Sequence, residues 1–328
     1  MKRSIILVWV VALLTMAAAP THAESCADSD VDCWLVQLDT GDGAAAMRAA
    51  MTLGELGDAK AIDPLIAKFA AEDQYMATAA THAVIKIGNG AVFPLVKAST
   101  ESKSAAVRKY AAYALGRIGG DDAFAAVLQA AKDEAPKVRA QAATAFGVMG
   151  DDRALLPLFE LLRDRSVSVR AAAAQSLGAI GDRRATNFLL EYGLCDISPE
   201  VARASAGALV QIGPEAVEPL IDAYNTKPDY ARKRIVLAVG NIGVDAPPAT
   251  RGRAVKLASW VLKRKTEGVE TRAVAAYVLG TLDAKDAVPV LKQALAESGA
   301  KEEQKTLHAS CEQALLKIYQ KYEMKRDF

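Results

Sequence analysis

The segment Ser168-Val169-Arg170-Ala171-Ala172-Ala173-Ala174-Gln175-Ser176-Leu177-Gly178-Ala179-Ile180-Gly181-Asp182 decides the fold. Ala172, Ala173, Leu177 and Ile180 recur at helical spacing and make one apolar stripe. The helix is expected to run from Val169-Arg170 to Leu177-Gly178, and the glycine ends it, because glycine takes the left-handed backbone at a helix C-terminus without steric cost. Asp182 follows, a short acceptor suited to cap a second helix.

The same segment recurs along the chain. Its second glycine falls at Gly57, Gly88, Gly119, Gly150, Gly181, Gly213 and Gly243, at spacings of 31, 31, 31, 31, 32 and 30 residues. An eighth copy, Leu279-Gly280-Thr281-Leu282-Asp283, follows 40 residues later with Asp283 in the glycine slot. A period this regular marks a repeat architecture. After each stop, Asp58, Asn89, Asp151 and Asp182 stand where an N-cap belongs, and Pro64, Pro94, Pro157, Pro219 and Pro289 come six or seven residues after the slot. Proline is harmless in a first helical turn, so the aspartates and the prolines place the start of the second helix at different residues. The second helices end near Asp73, Asp133, Asp164 and Asp196.

One such helix pair cannot bury its own stripe, so neighbouring pairs must cover one another. The predicted fold is all-α: a right-handed α-solenoid of about eight two-helix repeats with helical caps, about 80 Å long at ~10 Å per repeat. Residues 24–40 form the N-terminal cap, with Val31 to Leu38 as a lone second helix, and 41–300 the array. Residues 301–328 hold a capping helix over Glu303 to Tyr319 and a tail.

The pattern Val-Arg-x-x-Ala-Ala-x-x-Leu-Gly-x-Ile-Gly-Asp-x-x-Ala-Leu-x-Pro-Leu, clearest in repeats three to five, resembles the HEAT-like repeats of the phycobilin lyase type, from about Asp39 to Tyr319. That resemblance implies fold. It leaves function open among scaffolds, adaptors, inhibitors and some enzymes. The matching motif is the repeat rather than a catalytic set. The HEAT-type iron hydroxylases depend on His-Glu pairs, and neither His82 nor His308 has one.

The first residues carry a basic start, Lys2 and Arg3, an apolar run from Ile5 to Leu14, and small residues up to Ala23, the pattern of a signal peptide over 1–23. Its run to Ala19 is shorter than the ~20 residues of a spanning helix. No second stretch looks long enough to span, so the remainder is expected to be soluble, in the periplasm or secreted. Taking Lys2 and Arg3 from the 40 basic residues leaves 38 against 39 acidic ones, a net charge of −1. Nucleic acid is therefore an improbable partner, since its affinity rests on an excess of Lys and Arg. In an oxidising compartment Cys26 and Cys33 form the plausible disulfide, provided Ala27 to Val31 is not helical. Cys195 and Cys311 lie over three repeats apart and are expected to be free and at least partly buried.

No metal set, nucleophile motif or phosphate loop is present, and no cofactor is expected. The chain reads as a binding protein rather than an enzyme. Arg108, Arg139, Arg170, Arg232 and Arg272 stand eleven residues before the glycine slot and form a ladder. It is either a polyanion-binding ridge or, as the residues favour, a set of internal pairs with carboxylates such as Asp133 and Asp164, six residues before Arg139 and Arg170. Three residues past each proline slot, Lys97, Gln129, Glu160, Asp222 and Lys292 form a polar row, either a solvated face or the lining of a concave groove. The insertion in repeat seven, Ala246-Pro247-Pro248 followed by Trp260 and Lys263-Arg264-Lys265, is either a tolerated loop or a specific contact. Together these point to an envelope scaffold or adaptor that binds a protein partner. The alternatives are an assembly factor for an envelope complex and a lyase-type enzyme acting on a bilin-like ligand.

Overall fold

The computed structural model describes residues 26–299 and 302–324, so the signal-peptide reading of 1–23 and the tail past 324 lie outside the described residues. Among the described residues every regular element is helical. A capping helix, α1 (Val31–Thr40), precedes eight helix pairs. The first four pairs are α2 (Gly43–Leu56) with α3 (Ile62–Ala67), α4 (Gln74–Ile87) with α5 (Val92–Glu101), α6 (Ala105–Ile118) with α7 (Asp121–Ala130), and α8 (Pro136–Met149) with α9 (Leu155–Leu161). In repeat five, α10 (Val167–Ile180) is followed by α11 (Thr186–Phe188), which widens into a π-helical stretch over Leu189–Leu194. The last three pairs are α12 (Pro199–Ile212) with α13 (Val217–Ala223), α14 (Asp229–Val244) with α15 (Pro248–Lys263), and α16 (Val269–Thr281) with α17 (Val288–Ser298). Helix α18 (Lys305–Lys321) closes the stack against α16. One continuous core runs from Leu38 to Tyr319.

The aspartates and the prolines both mark real starts. Asp58, Asp151 and Asp182 each accept the backbone N–H two residues on and cap a short 3₁₀ turn. The α-helix begins after that turn, with Pro64, Pro94, Pro157 and Pro219 as its third residue. Asn89 differs from the expectation: it lies inside the 3₁₀ turn Gly88–Ala91 and caps nothing.

Six of the seven glycine slots have the positive φ that stops a helix, from 64° at Gly150 to 85° at Gly213. Gly243 does not. Helix α14 runs through it to Val244, and Arg251 donates to the carbonyls of Gly243 and Val244 that a glycine turn would otherwise have satisfied. Asp283, in the eighth slot, adopts φ 51° despite its side chain. The first glycine of each pair is not punctuation at all. A Cβ on Gly116 would stand 2.5 Å from the Cβ of Ala145, and one on Gly147 2.9 Å from the Cα of Ser176. These glycines let successive first helices touch.

The arginine ladder is internal. Arg108, Arg139 and Arg170 clasp Asp133, Asp164 and Asp196 through two nitrogens each, at 2.6 to 3.1 Å. The partner is therefore the aspartate 25 or 26 residues ahead, not the one six residues behind as the sequence suggested. The aspartate behind contributes its backbone carbonyl instead, as Asp133 does to Arg139 and Asp164 to Arg170. Each carboxylate also accepts the N–H two residues on, at Ala135, Ser166 or Ser198. One rung thus ties two linkers and both helices of a repeat. Burial alone would raise the Asp133 and Asp164 carboxyls, but the bonds from Arg108 and Arg139 and from the backbone amides together hold both below the ordinary carboxylate range. Arg232 instead sits 3.1 Å from the buried Glu267, and Arg272 donates to the Leu262 carbonyl.

Cys26 and Cys33 are joined, with Cα atoms 5.7 Å apart. Residues 27–30 form the turn this needs, and the helix starts at Val31, one residue earlier than the non-helical stretch was drawn. Gln74–Glu101 is, by length and a mean hydropathy of 1.2, apolar enough to cross a membrane, which the sequence reading passed over. The positive φ of 80° at Gly88 divides it into α4 and α5, the two helices of repeat two.

Candidate functional site: the second-helix face

Counting from the proline slot, the residue before it and the third after it are four apart, so they share one outward stripe of the second helix. The stripe carries Phe93 and Lys97 in repeat two, Ala125 and Gln129 in repeat three, Leu156 and Glu160 in repeat four, and Glu218 and Asp222 in repeat six, all exposed. Lys97, Gln129, Glu160 and Asp222 are therefore one row. Lys292 is not in it. Pro289 is the second residue of α17 rather than the third, so counting from the proline lands one residue short. Lys292 is half-buried with its ammonium 5.8 Å from the Tyr319 ring, and the exposed Gln293 takes the row position. In repeat five Phe188 replaces the proline, which hid the row member Glu191 from the sequence reading.

The sequence reading also passed over the apolar members of this stripe. Phe93 is 80% exposed and Leu156 67%. A large apolar residue directly before a helix-opening proline, where Asp63 and Glu218 stand in other repeats, was the available signal. Between α5 and α7 lies a groove of about 550 Å³, lined by Phe93, Val96, Thr100, Ala125, Ala126 and Gln129. It is open because repeat three has Ala125 and Ala126 where repeat four has Leu156 and Pro157.

Farther along, Phe159 and Phe188 stack with ring centroids 3.7 Å apart. Tyr192 continues the pile 6.4 Å from Phe188, with the Arg163 guanidinium 5.1 Å from its ring. The π-helical turn carries Tyr192, and such turns often accompany functional sites. In repeat six the stripe is acidic, with Glu218 and Asp222, and Glu218 bridges to Arg253.

In repeat seven, Trp260 packs edge-on against the buried Tyr224, centroids 5.6 Å apart. Of the basic run, Arg264 lies 4.3 Å over the Trp260 ring and Lys265 3.3 Å from Glu297, while Lys263 is exposed. Most of the run is thus engaged within the repeat. His82 faces Tyr113, and Nδ1 of His308 is 3.0 Å from the Ser298 hydroxyl. Among the described residues no cluster of His, Cys, Asp and Glu has the makings of a metal site. Cys195 is half-buried and Cys311 buried, both unpaired, and burial pushes the Cys311 thiol up to about 12.

Models of HEAT repeats match residues 92–168, 124–195 and 155–240, and the model of the PBS lyase HEAT-like repeat matches 45–70 and 271–297. The regular centre is thus matched as HEAT repeats and the two ends as the lyase type. No curated protein sequence matches the chain. Among solved structures it is similar to Kap95p in its complex with RanGDP, at 13% identity and a TM-score of 0.61, covering 88% of this chain and 44% of Kap95p. It is also similar to YibA of Escherichia coli, at 16% identity and a TM-score of 0.50, covering 84% and 96%. The CpcE–CpcF complex of phycocyanin lyase from Nostoc sp. PCC7120 aligns at 21% identity over 84% of this chain and 98% of that one, with a TM-score of only 0.34. At these identities the likeness concerns the fold, an α-solenoid of HEAT repeats.

Proposed function

We propose that the chain is a protein-interaction scaffold of the bacterial cell envelope, exported by cleavage after Ala23, and that it seats a protein partner on the second-helix face of repeats two to five. The observation that carries this reading is the exposure of Phe93 and Leu156 on the same stripe, beside a groove of about 550 Å³. Isolated surface apolar residues are ordinary, but an aligned set beside a groove favours a contact surface. The charge balance speaks against nucleic acid, and export is supported by the basic start, the apolar run and the joined Cys26 and Cys33. Among solenoids of similar fold, Kap95p binds RanGDP, so a protein partner is in keeping with the architecture.

The test is crosslinking in the native envelope followed by mass spectrometry, with wild type beside Phe93→Glu and Leu156→Glu. Both positions are exposed, so the variants should fold with unchanged circular dichroism. Loss of the same crosslinked protein from both variants is expected, and an unchanged crosslink pattern would refute the reading. Fractionation with N-terminal sequencing of the recovered chain tests the export step.

A further inference from the structure

The junction between α12 and α14, the first helices of repeats six and seven, departs from the regular junctions at three positions. Ala202 stands where the ladder has arginine, and Val210 where Gly116, Gly147 and Gly178 allow close packing. Gly207 replaces the side chain that Thr144 and Gln175 provide in repeats four and five. The consequence is visible in one alanine. Ala112, Ala143 and Ala174 are sealed from solvent, but Ala206, at the same position, is partly exposed.

What opens is a groove of about 450 Å³ with an apolar floor from Ala206, Val210 and Leu237, edged by Arg203, Arg234 and Asn241. None of the described residues that line it is a carboxylate. Among the described residues neither arginine forms an ion pair. Arg234 gives one nitrogen to the carbonyls of Leu194 and Asp196 and lies 5.4 Å from the Tyr230 ring, while Arg203 is exposed on α12. The ladder arginines Arg108, Arg139 and Arg170 are each met by an aspartate, whereas the half-buried Arg234 meets only carbonyls and the exposed Arg203 stands on the other edge of the same apolar trough, so the groove presents two positive charges that an anion from outside can meet. A polyphosphate would use the charges but not the floor, and two cations are few for one. A segment with carboxylates on one side and aliphatic side chains on the other uses both, in the helix-in-groove manner.

We propose that this groove is a second docking site, on the first-helix face, which takes a short acidic amphipathic helix of another protein. It is independent of the second-helix face, so the array would bridge two partners.

The test is fluorescence anisotropy with the mature chain and a labelled peptide of about 14 residues, leucines at helical spacing and glutamates elsewhere. The control peptide has lysine for every glutamate. Saturable, salt-sensitive binding of the glutamate peptide alone is expected, weakened about tenfold or more by Arg203→Glu and by Val210→Asp, and unchanged by Phe93→Glu. Arg203→Glu alters an exposed residue that has no ion pair among the described residues, so its fold should be intact even if Val210→Asp disturbs packing. The proposal is overturned if no saturable binding appears up to about 1 mM, if both peptides bind alike, or if Arg203→Glu keeps wild-type affinity. Loss through Phe93→Glu would assign the peptide to the other face and overturn it equally.

Discussion

Repeats three to five and repeats six to eight are written in one pattern, yet the first set holds its helices together by three buried arginine–aspartate rungs, whereas the second has no rung in repeat six, an Arg232–Glu267 contact in repeat seven and a bond from Arg272 to the Leu262 carbonyl in repeat eight. In the second set the sixth rung is missing from both sides: Ala202 replaces the arginine and Thr226 the aspartate. The first two repeats are likewise empty on both sides, with Ala46 and Ala71, then Ala77 and Ser102. In no repeat does a ladder arginine stand without an acid or a carbonyl to receive it. The reason is energetic: a buried charge that loses its partner costs several kcal/mol, whereas two small neutral residues cost little. Rungs are therefore gained or lost whole, and where one is lost the junction is free to open, as it does between α12 and α14.

The sharpest way to break this contrast is to remove half a rung. Arg139→Ala leaves Asp164 buried without its partner and should lower unfolding free energy by about 3–5 kcal/mol. Arg203→Ala should change it by no more than about 0.5 kcal/mol. Urea titration of both variants decides; a small loss for Arg139→Ala would show that the rungs are not what holds the regular repeats. The rung also has a pH signature. Asp133 and Asp164 have folded values held below their unfolded value of about 3.9, so their contribution is full above that value and is lost as pH falls through the lower folded one. Wild type should lose stability below about pH 4, and a variant carrying Arg108→Met, Asp133→Leu, Arg139→Met and Asp164→Leu should lose less of it over the same range.

The next contrast is steric. Gly147→Val would drive a side chain into the backbone of Ser176 and should cost about 1–3 kcal/mol. Val210→Gly, the reverse change at the open junction, meets no such wall, and its cost should stay near the roughly 1 kcal/mol of a glycine within a helix. Equal losses in thermal melts would mean that the glycine slot does not set helix spacing.

How much of this was legible in the sequence follows from what kind of signal each feature leaves. The period of 31, the left-handed glycines and the capping aspartates are local in the chain, and they gave the fold down to the number of repeats. The ladder was visible as a register of arginines, but its partners lie 25 residues ahead across a packed junction, and local counting chose the aspartate six residues behind. The first glycines, such as Gly178, read as stops in the sequence, because a close approach between repeats leaves no mark in the chain itself. Counting from proline placed Lys97, Gln129, Glu160 and Asp222 on the outward face, and failed at Lys292 because one proline had shifted by a residue. Phe93 and Leu156 were readable as apolar residues on a face expected to be polar.

A smaller effect comes from restoring what the second set lacks. Ala202→Arg or Thr226→Asp alone adds a charge with no partner and should destabilise. Together they should recover part of that loss, with a coupling energy of about 1–3 kcal/mol. A double-mutant cycle in urea measures it. The same pair should narrow the groove between α12 and α14, so weaker binding of the glutamate peptide by the double variant is expected.

The smallest effect on stability separates the two readings of the repeat-seven insertion. Lys265 pairs with Glu297 at the surface, and Lys263 is exposed, so neither holds the fold, and surface pairs of this kind contribute about 0–1 kcal/mol. Trp260 is different, because its ring is wedged between Tyr224 and the Arg264 guanidinium. Trp260→Ala should therefore lower the melting temperature, whereas Lys263→Ala with Lys265→Ala should leave it in place. Crosslinking to envelope proteins then gives the answer: if the double lysine variant loses a crosslinked partner at unchanged melting temperature, the insertion is a contact, and if it keeps every partner, the added residues only lengthen α15 and its turn around a packed tryptophan.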